Sequence, residues 1–139
     1  MTDLQTLTVL LGHNERQRDL GLAEHQRAQT AAAAAATQAE QLLAYRRDYE
    51  QRWSAQFCRE GKIELVRCYQ SFMERLTQAV EQQSAVATHA AQQADRALAT
   101  LRAIEPRCAS VRKLIERRLL EQRRAGDRED GRGEPHQAE

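Results

Sequence analysis

Apolar and small residues recur along this chain at alternating steps of three and four. The first series runs Leu4, Leu7, Leu11, Asn14, Arg18, Gly21, His25, Ala28, Ala32, Ala35, Ala39 and Leu42. The second runs Val66, Tyr69, Met73, Leu76, Val80, Gln83, Ala87, Ala90, Ala94, Ala97, Leu101, Ile104, Cys108, Val111 and Ile115. Steps of three and four repeat every seven residues, which keeps one stripe of a helix turned toward a partner helix. The pattern therefore predicts two long helices, each with one narrow seam. Its quality varies along the first arm: Leu4 to Leu11 is strongly apolar, Asn14 to His25 is polar, and Ala28 to Leu42 is small.

Between the two series lies Cys58-Arg59-Glu60-Gly61-Lys62, a short polar break with a glycine, and a turn is predicted near 58–62. Thr2-Asp3-Leu4-Gln5 matches a capping box, in which the Thr hydroxyl and the Gln side chain satisfy each other's backbone N–H, so the first helix is predicted to start there. Folding the chain at Arg59 and Glu60 makes facing residues sum to about 119. Leu42 then faces Leu76, Ala39 faces Val80, Ala32 faces Ala87, Leu11 faces Cys108, and Leu4 faces Ile115. Large meets large and small meets small along most of the length, which fixes the register only to within whole heptads. The fold class is all-α: a long antiparallel two-helix coiled-coil hairpin over residues 1–124.

The alanine run at residues 31–36 belongs to this scheme. Alanine has the highest helix propensity, and on a seam it lets two backbones approach closely. Gly12 and Pro106 weaken the helices nearly opposite each other, and a bend is expected there. Arg112, Lys113, Arg117, Arg118, Arg123 and Arg124 crowd what is expected to be the last turns of the second helix, where cations suit the negative end of its dipole. Residues 125–139, rich in glycine and charge, are expected to form a disordered tail.

Composition adds limits. The chain has 139 residues, 4% aromatic content and a formal net charge of +1, with a mean hydropathy of −0.76. That cannot fill a wide globular core but suits a narrow helical seam. Cys58, Cys68 and Cys108 match no zinc or disulfide spacing, so free thiols in a reducing compartment are expected. No apolar run approaches the roughly 20 residues of a membrane span, and no secretory signal is evident at the start. A soluble, cytoplasmic protein is expected. Phosphate-cradling glycine motifs are absent, and Ser84 with His89 lacks an orienting acid. His13, His25, His89 and His136 are scattered. No catalytic residue, cofactor or metal is expected. Glu116 and Glu121 interrupt the basic run and no aromatic is interleaved, which argues against nucleic acid.

All the aromatic residues gather around the turn: Tyr45, Tyr49, Trp53 and Phe57 at a spacing of four, then Tyr69 and Phe72. Two helices hide only a narrow stripe each, so Tyr45, Tyr49 and Phe72 must leave part of their surface outward. Gln41-Leu42-Leu43-Ala44-Tyr45-Arg46-Arg47-Asp48-Tyr49, the turn at Gly61, and Tyr69-Gln70-Ser71-Phe72-Met73-Glu74-Arg75-Leu76 with Ala79, Gln82 and Gln83 resemble the flagellar FliJ family. The likeness covers nearly the whole chain as an antiparallel hairpin with a charged C-terminal end.

The resemblance implies a cytosolic stalk or chaperone-like component of the flagellar type III protein export apparatus. Members of that family resemble the central stalk subunit of rotary ATPases. It implies contacts to the export ATPase hexamer, to the cytosolic domain of the membrane export gate and to export chaperones, with membrane association through partners only, at the flagellar base. Carried over, the gate patch is Gln38, Leu42, Tyr45 and Tyr49 on the first arm and Phe72, Leu76, Ala79 and Gln83 on the second. The ATPase contact falls to the chain ends, at Leu4, Leu7, Leu11, Ile115, Arg117, Arg118 and Leu119. Leu42, Leu76 and Gln83 then belong to both seam and patch, which predicts that the tip splays and that Leu43, Val66, Met73 and Val80 take over its core. Alternative readings are a stalk protein of a virulence-type secretion system and a generic scaffolding coiled coil. The tyrosine-rich tip favours the flagellar version, and the arms lack the continuous outer apolar stripe that a scaffold needs.

Overall fold

The computed structural model describes residues 2–133, apart from the side chains of Phe57, Cys58, Glu60 and residues 132–133. The side chains of Phe57 and Cys58 at the predicted tip, and His136 with the rest of 134–139, thus lie outside the described residues. Two helices account for the described chain: α1 (Asp3–Glu60) and α2 (Ile63–Gly133). They pack against each other as an all-α antiparallel hairpin.

The ends of α1 are written in its sequence. At its start the Thr2 N–H donates to Gln5 Oε1 at 3.0 Å, and the Gln5 N–H donates to Thr2 Oγ1 at 3.2 Å, the reciprocal capping box. At its other end Gly61 takes a φ of 48°, the left-handed conformation that a side chain disfavours and that stops a helix. Only Gly61 and Lys62 separate the helices. The Lys62 carbonyl accepts from the Val66 N–H at 3.2 Å and so begins α2.

Every seam position from Leu4 to Leu42 and from Val66 to Ile115 is buried or half-buried. The register differs from a fold at Arg59–Glu60. Facing residues sum to 121 for Gln38–Gln83, Tyr49–Phe72 and Asp3–Arg118, and to 123 for Arg46–Thr77. The reason is the turn. Only glycine takes the left-handed conformation cheaply, so α1 runs on to Glu60 and the fold centres on Gly61, which displaces predicted partners by two to four residues.

The hairpin divides into two compact units. The distal unit, Glu24–Ala97, contains the turn, the alanine seam and the aromatic cluster; Ala35 and Leu76 are its buried side chains. The basal unit joins residues 1–23 to the C-terminal part of α2 from Leu98 onward. Its buried side chains are Leu101, Cys108 and Val111, with Cys108 at 1% exposure. These three flank Pro106, which stands inside an unbroken α2.

α2 also corrects the tail. Residues 125–133 are helical, although a disordered segment is expected from Ala125. Extending an existing helix adds one hydrogen bond per residue fixed, so Gly126 and Gly131 weaken it without ending it. The arginines from Arg112 to Arg124 therefore lie within the helix, away from its last turn, and the dipole reading of that run falls. From Glu116 to Gly131 every side chain is exposed except at Gly126.

Candidate partner-binding surfaces

Five aromatic residues of the distal unit, Tyr45, Tyr49, Trp53, Tyr69 and Phe72, form a connected cluster. Tyr49 is the hub, with ring centroids 6.0 Å from Tyr45, 5.6 Å from Trp53 and 4.4 Å from Phe72 across the hairpin. Trp53 in turn lies 6.1 Å from Tyr69. A spacing of four on α1 stacks successive rings on adjoining turns, and Phe72 and Tyr69 meet them from α2. Tyr49, Trp53, Tyr69 and Phe72 are half-buried, whereas Tyr45 is 50% exposed. Burial, then the nearby Glu50 carboxylate, hold the Tyr69 hydroxyl above the usual phenol range.

Beside the cluster lies an open groove of about 350 Å³, lined by Gln38, Gln41, Leu42, Tyr45 and Gln83. Leu42 and Tyr45 give it apolar surface, and three glutamines give it amides. Gln83 Nε2 donates to Gln38 Oε1 at 3.2 Å across the two helices. Four of the eight residues expected in the gate patch thus share one groove. Tyr49 and Phe72 stack on each other next to it, and Ala79 is half-buried. Leu76 is different: it is 7% exposed and belongs to the core. The tip does not turn Leu76 outward, and Leu43, Val66, Met73 and Val80 stay half-buried around it. Gln41 escaped the sequence reading because it lies off the seam and carries no aromatic signal. The Arg46–Thr77 bond escaped for a similar reason: Arg46 Nε donates to Thr77 Oγ1 at 3.1 Å, half-buried, and helps to fix the register at this level.

At the basal unit, the residues expected to meet an ATPase also divide. Leu4, Leu7, Leu11 and Ile115 are half-buried on the seam. Arg117, Arg118 and Leu119 are exposed, and Arg118 Nε reaches Asp3 at 2.9 Å and, through Nη1, Glu121 at 3.2 Å. Val9, Leu10, Leu20, Leu22, Leu114 and Leu120 are exposed as well, apolar area that the seam pattern does not reveal.

Among the described residues no cluster of His, Cys, Asp and Glu could hold a metal ion. No described helix is long and apolar enough to cross a membrane.

Helical hairpins are common, so the geometry alone does not select a family. A family model described as "Flagellar FliJ protein" matches residues 3–132, almost the whole chain. The chain belongs to the FliJ family. It is thereby a component related to flagellar protein export, in a cytosolic family. No curated protein and no solved structure gives a match. Within the FliJ frame, the Tyr45–Tyr49 and Phe72–Leu76 elements that carry the resemblance are the ones that meet across the distal hairpin.

Proposed function

We infer that this protein is a stalk and chaperone-like adaptor of the flagellar type III export apparatus, acting by binding. Its distal groove takes the cytosolic domain of the export gate, its basal end takes the export ATPase hexamer, and export chaperones are further clients. The observation that carries this reading is the division of labour among the tip aromatics. Tyr49 and Phe72 are held by a tilted ring contact across the hairpin, while Tyr45 lines the groove with Leu42 and stands half in solvent. An aromatic anchored by its neighbours but left exposed makes a pre-organised contact, the makeup of a binding hot spot. Leu76 supports that surface from the core and does not touch the partner.

At the other end, Arg117, Leu119 and Leu120 on the exposed part of α2 offer mixed basic and apolar area. Leu4, Leu7, Leu11 and Ile115 hold the two helices together beneath them. Association with the inner membrane follows through the gate.

The test is co-purification of the full chain with the export ATPase and with the gate's cytosolic domain from the same cell. Both are expected to be retained. Removal of residues 119–139 is expected to weaken ATPase retention and leave gate retention nearly unchanged. Equal loss of both, or loss of neither, would overturn the division between ends.

A further inference from the structure

The seam through Tyr69, Met73, Leu76 and Val80 gives the distal unit two flanks. One carries the groove with Tyr45. The other carries a larger open groove of about 590 Å³ along α2, with Tyr69, Met73 and Thr77 at its floor and Glu74, Gln78 and Glu81 at its rim. Nothing in the gate reading uses it.

Three features define what fits this second groove. Its lining residues span 69 to 81 on one face of a single helix, about 18 Å at 1.5 Å per residue. An open helix face of that length can take another helix, packed ridge into groove. Next, Met73 is half-buried beside half-buried Tyr69, and an unbranched thioether adapts to different apolar side chains. Last, Glu74 and Glu81 are exposed and seven residues apart, so both carboxylates stand on the same side two turns from each other. Arg46 borders the floor from α1, engaged by Thr77 and by Glu50 at 3.8 Å, and exposed Arg67 stands one heptad before Glu74, outside the groove; the charges of the lining itself are the two carboxylates.

We propose that this flank is a second docking surface, for a basic amphipathic helix of a partner protein. The incoming helix lays its apolar stripe over Tyr69 and Met73. Lys or Arg side chains seven residues apart on its edge pair with Glu74 and Glu81. Anionic surfaces such as lipid headgroups or nucleic acid are repelled by the same carboxylates. The proposal goes beyond the gate reading and stands on the opposite flank, so either can fail alone.

Trp53, the single tryptophan of the chain, lies 6.1 Å from Tyr69, so its fluorescence reports on the groove. The probes are two synthetic 18-residue helical peptides with one leucine face, one carrying lysines seven residues apart at its edge and the other glutamates. The lysine peptide is expected to bind the full chain and to weaken as salt rises. It should bind at least tenfold more weakly to Glu74→Lys/Glu81→Lys, which in turn gains the glutamate peptide. Tyr45→Ala should leave lysine-peptide binding unchanged.

Equal binding of both peptides, undiminished binding to the double variant, or loss through Tyr45→Ala would overturn the proposal. Sedimentation of the chain alone supplies the last outcome. Self-association abolished by Glu74→Lys/Glu81→Lys would assign the groove to a second copy, and the partner-helix proposal would fall.

Discussion

The two units of the hairpin use the same seam for different ends. In the basal unit the buried positions are Leu101, Cys108 and Val111, small to medium aliphatic or thiol groups with no polar partner to satisfy. In the distal unit Ala35 and Leu76 are buried alongside half-buried aromatics, and side-chain hydrogen bonds join the helices at Gln38–Gln83 and Arg46–Thr77. Buried aliphatic area stabilises and is non-directional. Half-exposed aromatics with cross-helix polar pairs stabilise less but fix register and present a surface. The basal seam therefore contributes mainly buried aliphatic area, and the distal seam adds cross-helix pairs that fix register and leave Tyr45 exposed.

The contrast is sharpest under truncation. Leu101→Ala in the basal unit is expected to lower unfolding free energy by about 2–4 kcal/mol, as for other buried leucines, while gate binding stays intact; urea denaturation followed by helicity measures it. Tyr49→Ala should also destabilise, by about 2 kcal/mol, because it empties the centre of three ring contacts at a half-buried site. If Tyr49→Ala melts no earlier than the parent, the cluster is not structural and the contrast between the units blurs.

Smaller effects test the helix ends and the weak seam. Gly61→Ala forces a side chain into the left-handed region and should cost about 1–2 kcal/mol, read as a lower melting temperature. Gly21→Ala should do the opposite, gaining about 1 kcal/mol from helix propensity. A methyl there would meet Ile104 and Leu101 side-chain carbons at 3.6 Å, ordinary contact distance in the basal core. The smallest effect is in pH. Because Tyr69 is raised in the folded state, that state holds the phenol proton more tightly. The resulting stability is complete below the ordinary value of about 10 and is lost as pH climbs through the folded value. Comparing the parent with Tyr69→Phe at mildly and strongly alkaline pH should show a steeper loss in the parent.

The sequence spelled out those parts of the fold that depend on local chemistry. A seven-residue period identifies every buried face because each helix offers only one stripe, and Thr2-Gln5 and Gly61 mark the ends of α1 because capping uses nearby atoms. Register was less legible. Alanine against alanine is nearly indifferent to sliding by a turn, so the choice fell to Gly61, Gln38–Gln83 and Arg46–Thr77, whose pairing becomes visible only once the helices meet. Residues 125–133 are helical where composition suggests disorder, because an established helix propagates through single glycines.

For the candidate surfaces, the resemblance put Tyr45, Tyr49, Leu42 and Leu76 on one broad patch. It could not separate the exposed ring from the stacked one, or core Leu76 from groove-lining Leu42. That separation depends on what stands opposite each residue across the hairpin.

The central claim is that Tyr45 serves a partner while Tyr49 serves the fold. Titration of the gate's cytosolic domain against the parent and Tyr45→Ala, each with its unfolding midpoint, tests it most directly. Tyr45→Ala is expected to keep its helicity and midpoint yet to lose about 1–3 kcal/mol of binding, the range of hot-spot truncations. Unchanged affinity, or a fall in affinity that merely tracks a fall in stability, would contradict it.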